Sequence, residues 1–149
     1  VQAAILHEPA LVRLCNDPSE VQGAVTTLVT EGMQAGGPPV AMERFWRFAA
    51  GDANWNDLDG ELRDRMVASA KTFFGLELDL VSYLPADEQL ARLAVPLHVL
   101  VSEQGMPFLH EASGQLADRL GCEVRRTAGT HTSYADHPEE LAHAIKSSV

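Results

Sequence analysis

Three short runs limit what this chain can fold into: "AAILHEP" at its start, "VPLHVLVSE" from Val95 and "CEVRRT" from Cys122. The first two are apolar almost without interruption, and such runs, bounded by turn residues, fit strands covered on both faces of a sheet. A strand with one wet face would alternate instead. Helical patterns follow the last two runs. Phe108, Ala112, Leu116 and Leu120 recur at a spacing of four, and Gly121 closes the helix as a C-terminal cap. Pro138 opens another helix, with Glu139 and Glu140 in its first turn and Lys146 in its last, so side-chain charge and helix dipole agree. Leu141, Ala144 and Ile145 are expected to face inward. Strand, helix, strand, helix predicts an α/β fold with parallel strands and right-handed crossovers.

The stretch between the first and second strands is helical. Asp17-Pro18-Ser19-Glu20 supplies an N-cap, a proline at the first helical position and a capping-box glutamate, and Gly36-Gly37-Pro38-Pro39 ends that helix. "PVAMERFWRFAAG" predicts a second helix, with Met42, Phe45, Trp46 and Ala49 on one side. "DLDGELRDRMVASAKTFFGLEL" predicts a third, with Leu62, Met66, Ala70 and Phe73 or Phe74 in a stripe. The leucines and acids of "GLELDLVSY" read as the solvent side of an element. Helices inserted between consecutive parallel strands read as a cap, so residues 1–9 and 85–149 are assigned to a sheet core and 10–84 to a helical cap. The apolar stripes are plain helix packing first and a pocket wall second. Three parallel strands make a small sheet, and the first run carries no charge before Glu8 to protect an open edge, so a neighbour is expected beside it.

Composition removes several function classes. A net charge of −10 opposes the basic surface that nucleic acid requires and leaves a neutral or cationic small molecule as the expected partner. No apolar run approaches the ~20 residues of a spanning helix, and "VQAAILHEPALVR" lacks the basic region of a signal peptide, so a cytoplasmic protein without membrane contact is expected. Cys15 and Cys122 have no Cys-x-x-Cys spacing and are expected to be free, buried thiols.

The order strand with "HEP", helical insertion, "VPLHVLVSE", helix, strand, "GTH", helix resembles the carboxy-terminal half of the α/β-hydrolase fold. The likeness covers nearly the whole chain; it is specific at "AILHEPAL", "LARLAVPLHVLVSE" and "AGTHTSYADHPEELAHAI", and generic in the insertion. It implies that His131, in the loop after the last strand, is the general base and acid of a nucleophile-His-acid triad. The family's Gly-x-Ser-x-Gly elbow is not present, and Ser69, Ser113 and Ser133 stand in no such motif. The resemblance therefore implies that the nucleophile and an amino-terminal half of the fold come from upstream residues or a second chain.

The acid has two candidates. Family members commonly carry an aspartate after the strand equivalent to "HVLV", in a Gly-x-x-Asp pattern; "SEQG" has none there, and Glu103 is the carboxylate at that turn. A subgroup that includes some haloalkane dehalogenases places its acid at the end of the strand before the cap, where "LHEP" puts Glu8. Glu8 is the preferred partner of His131 and Glu103 the alternative. Without the resemblance, a lone loop histidine is a surface or structural residue.

Other constellations are weaker. His131, Asp136, His137 and His143 do not form a metal site on this pattern, because His137 and His143 are about 240° apart around a helix. His137 reads as a cap-region residue, His98 as a satisfied core histidine, and His7 as a structural residue within reach of the pocket. The resulting expectation is a cofactor-free hydrolase of a small ester or lactone, acting through a covalent intermediate, with cap helices selecting the substrate. Two alternatives stay open: a catalytically silent binding or regulatory module derived from such an enzyme, and a dehalogenase or carbon-carbon hydrolase of the same fold.

Overall fold

The computed structural model describes residues 3–80 and 82–148, without the side chains of 76–80. The solvent-side reading of "GLELDLVSY" therefore falls on side chains that lie, for the most part, outside the described residues. The chain forms an α/β structure of two compact units, Val1–Pro18 with Ser82–Val149, and Ser19–Val81.

The first unit holds a three-stranded parallel sheet in the order β1-β2-β3. Strand β1 is Ala4–His7, β2 Leu97–Ser102 and β3 Val124–Thr127, with Ala4 opposite Leu97, Val99 opposite Val124 and Ser102 opposite Thr127. Consecutive strands are adjacent, β1 and β2 across residues 8–96 and β2 and β3 across residues 103–123. Only the central strand matches the expected two-sided burial: Val99, Leu100, Val101 and Ser102 are at most 2% exposed. The four residues of β1 are half-buried, and β3 is exposed until Thr127. Both are outer strands of the described sheet, so each lacks the second neighbour that covers β2.

The one-turn helix α5, Asp87–Leu90, precedes β2; helix α6, Pro107–Leu120, follows it and ends on Gly121 in the left-handed conformation, as the cap residue predicts. Its Ala112 and Leu116 pack on Val99, Leu14 and Cys15, with Phe108 and Leu120 at the margin of this core. The 3-10 turn Val12–Leu14 buries Val12 and Leu14. Residues 10–18 accordingly belong with the sheet, whereas the expected helical insertion began at residue 10. Cys15 is buried with its thiol on the Phe108 carbonyl at 3.2 Å, but Cys122 is only half-buried, and both are free thiols. Helix α8, Pro138–Lys146, begins where Pro138 predicted. Leu141 is buried, yet Ile145 is 39% exposed rather than inward, because β3 beside this helix is the outer strand. His98 is half-buried, not the core residue expected.

The second unit contains most of α1 (Pro18–Gly36), α2 (Pro38–Ala50), α3 (Asp52–Asp57) and α4 (Gly60–Leu80). Helix α3 is a separate piece that no periodic pattern announced. Met42, Ala70, Phe74, Val25 and Val29 form this unit's core, and Phe45, Phe73 and Phe74 meet edge to face at 5.2–5.8 Å. Asp59 caps α4 through the Glu61 and Leu62 amides at 2.9 and 3.2 Å.

Candidate functional site

The site lies at the carboxyl ends of the three strands, where loops of parallel sheets gather polar side chains. Strand β1 stops at His7. The Glu8 amide still donates to the Leu100 carbonyl at 2.9 Å, but Glu8 itself takes φ 40, a conformation rare outside glycine. A continuing strand would send residues 7 and 8 to opposite faces. The kink breaks that alternation, and both side chains reach the same imidazole.

That imidazole is His131, in the loop between β3 and the short helix α7, Ser133–Asp136. Its Nδ1 lies 2.9 Å from Glu8 Oε2, and the His7 ring stacks on it with centroids 6.3 Å apart and planes 17° apart. Glu8 is 1% exposed, whereas the His131 side chain keeps 29% of its surface in solvent. A buried carboxylate accepts and does not donate, so Nδ1 carries the proton and Nε2 keeps its lone pair in neutral His131. Burial pushes the Glu8 carboxyl up, but the His131 hydrogen bond, the Ser102 amide and the charges of His131 and His7 outweigh it and hold it below the usual range.

Glu8 Oε1 accepts the Ser102 amide at 2.8 Å and lies 3.4 Å from His110 Nε2. His110, in the first turns of α6, also reaches the Ser102 carbonyl at 2.8 Å. Gly105 lies against this corner. A Cβ there would collide with Glu8 Oε1 and come within 2.7 Å of His110 Nε2, so the turn "SEQG" needs its glycine for the carboxylate to fit.

A hydrogen-bond chain runs under the pair. Ser133 Oγ lies 2.7 Å from the Thr130 carbonyl and 3.0 Å from that of Ala128, which commits its one proton to carbonyls. Ser133 Oγ must then accept from Ser102 Oγ at 2.7 Å, and Ser102 Oγ must accept from His7 Nε2 at 2.8 Å. His7 is therefore the donor, not a base acting on Ser102, and both serines are fully buried. Both hydroxyl protons are thereby held inside the chain. Burial lowers the His7 pKa, Glu8 partly restores it and His131 lowers it further. The loop of His131 is tied down by Asp136, whose Oδ2 accepts the Thr130 amide at 3.2 Å and hydroxyl at 2.7 Å.

Of the residues singled out by sequence, Glu8 and His131 are brought together. Glu103 is not: its side chain is exposed, and its backbone amide extends the ladder to Thr127 at 2.8 Å. The four residues weighed as metal ligands have other places. His131 is on Glu8, His137 Nδ1 lies 3.4 Å from Asp136 Oδ1, and His143 is exposed on α8. Among the described residues no three His, Cys, Asp or Glu side chains gather as a metal site, and no helix is long and apolar enough to cross a membrane. Ser102, Ser133, Gly105 and His110 had no sequence signal as a group, since only strand register and the α6 start bring them together. A scan against protein-family models finds none that matches this chain, and a search of the curated proteins finds no match either.

Proposed function

We propose that this chain supplies the histidine and the acid of an α/β-hydrolase-type triad whose nucleophile lies outside these 149 residues. The observation that carries the reading is the buried Glu8 carboxylate on His131 Nδ1 at 2.9 Å, which leaves Nε2 as the free base. In the reaction, Nε2 takes the proton of an attacking hydroxyl, Glu8 stabilises the imidazolium that forms, and the same proton then passes to the leaving group. The products are an acyl-enzyme and an alcohol, and water repeats the cycle to release the acid. A small ester or lactone is the proposed substrate, Ser19–Val81 the proposed cap unit, and the cytoplasm the proposed compartment.

The outer edge of β1 supports the missing part. The Ala4 and Glu8 amides bond to β2, so alternation turns the amides of Ile5 and His7 to the open side, along an edge with no proline or lysine guard. A strand of the nucleophile-bearing segment belongs there. The test is turnover of a chromogenic ester by the protein together with any polypeptide that purifies with it. His131→Ala is expected to lower turnover by about 10³-fold or more, and Glu8→Gln by about 10²-fold or more, with folding retained. Unchanged turnover in His131→Ala contradicts the role. No turnover by the intact protein, with any ester tried, leaves the catalytically silent binding module.

A further inference from the structure

Glu8 is held on both oxygens, with His131 at Oε2 and His110 facing Oε1. The His110 side chain is 28% exposed and comes from α6, an element separate from the strand and loop that carry Glu8 and His131. Its Nε2 lies 2.8 Å from the Ser102 carbonyl, an atom that can only accept, so Nε2 bears a proton in either charge state of the ring. The same N–H stands 3.4 Å from Glu8 Oε1. Ser102 joins the two contacts: its amide donates to Glu8 Oε1 at 2.8 Å while its carbonyl receives His110 and, at 3.1 Å, the Gly105 amide. A carboxylate gripped at one oxygen cannot rotate about its last bond, and the other oxygen is then fixed in the direction of His131.

We infer that His110 is a positioning residue for the base: its Nε2–H locks the Ser102–Gly105 turn against Glu8 Oε1 and so aims Oε2 at His131 Nδ1. The inference rests on the Glu8–His131 pairing proposed above. It adds that the pair's geometry is set from α6, by a residue on the far side of the carboxylate from the base. Gly105 is the second half of the device, because any side chain at that position would enter the space between Glu8 Oε1 and His110 Nε2.

The test compares two side chains of equal length. His110→Gln keeps an N–H at the position of Nε2, and His110→Met removes it. The readout is the solvent exchange rate of the His131 Nδ1 proton, followed by imidazole-selective ¹H–¹⁵N spectra of the protein, a signal that general loosening elsewhere does not move. Exchange is expected to quicken about tenfold in His110→Met and to stay near the wild-type rate in His110→Gln. Gly105→Ala, which crowds the same corner while leaving residue 110 a histidine, is expected to quicken it as well. Wild-type exchange in His110→Met, or loss in His110→Gln equal to that in His110→Met, overturns the inference while leaving the Glu8–His131 pairing intact. Absence of a protected Nδ1 proton in the wild-type protein overturns the pairing itself.

Discussion

Glu8 holds its carboxylate between Ser102 and His131 from a backbone conformation that L residues rarely adopt. A non-glycine φ of 40 is unfavourable, and such conformations persist where surrounding contacts over-determine them. Here those contacts are the Ser102 amide and His131 on its carboxylate. Ser102 is the quieter partner, fully buried and using its amide, carbonyl and hydroxyl at once. Ser102→Ala strands the His7 Nε2–H, and a loss of about 1–3 kcal/mol is expected in urea unfolding. Acid acts through the same residues. Both His7 and Glu8 have folded pKa values below their ordinary 6.5 and 4.5, so the unfolded chain binds the extra proton in each case. Stability is therefore complete above those values and falls as pH drops below them, first through His7 and then through Glu8. Urea midpoints from pH 7 down to about pH 5.5 should fall less in His7→Gln than in the wild type, and a fall of equal size counts against a neutral, half-buried His7.

Elements announced by strong period or punctuation were legible. Gly121 ended α6, Pro138 began α8, and the Gly-Pro cluster separated α1 from α2. The short pieces were not. Helix α3, with the sequence "DANWND", has too few turns to show a stripe, and Trp55 is buried there under Arg63, whose guanidinium lies 5.1 Å from the ring centroid. Burial of the outer strands was overestimated because an apolar run reports what a strand is made of, not how many neighbours it has. The same gap in the pattern explains Ile145. Truncation separates the two kinds of apolar helix position: Leu116→Ala, at 1% exposure, should lower unfolding stability by about 2–5 kcal/mol. Ile145→Ala, at 39%, should stay within about 1 kcal/mol.

Across the whole molecule, the pairing of Glu8 with His131 spans 123 residues of sequence, and a likeness of element order was the only sequence-level hint of it. The supporting network leaves no trace in the sequence, because strand register decides that Ser102 ends its strand beside Glu8 and Thr127. The proposed completion of the sheet is a property of this scale too. In the intact protein, the Ile5 and His7 amides are expected to exchange at least about 100-fold more slowly than unstructured ones, because a strand pairs β1 on its outer side. Free exchange at both amides would remove that strand. The tautomer of His131 is narrower and more directly measured: in the neutral ring the proton sits on Nδ1, facing Glu8, and Nε2 is bare. Long-range ¹H–¹⁵N spectra recorded well above the histidine range, at about pH 8.5, report the tautomer of each ring. An Nδ1-protonated His131 that loses this preference in Glu8→Gln is expected; an Nε2-protonated His131 in the wild-type protein contradicts the pairing with Glu8.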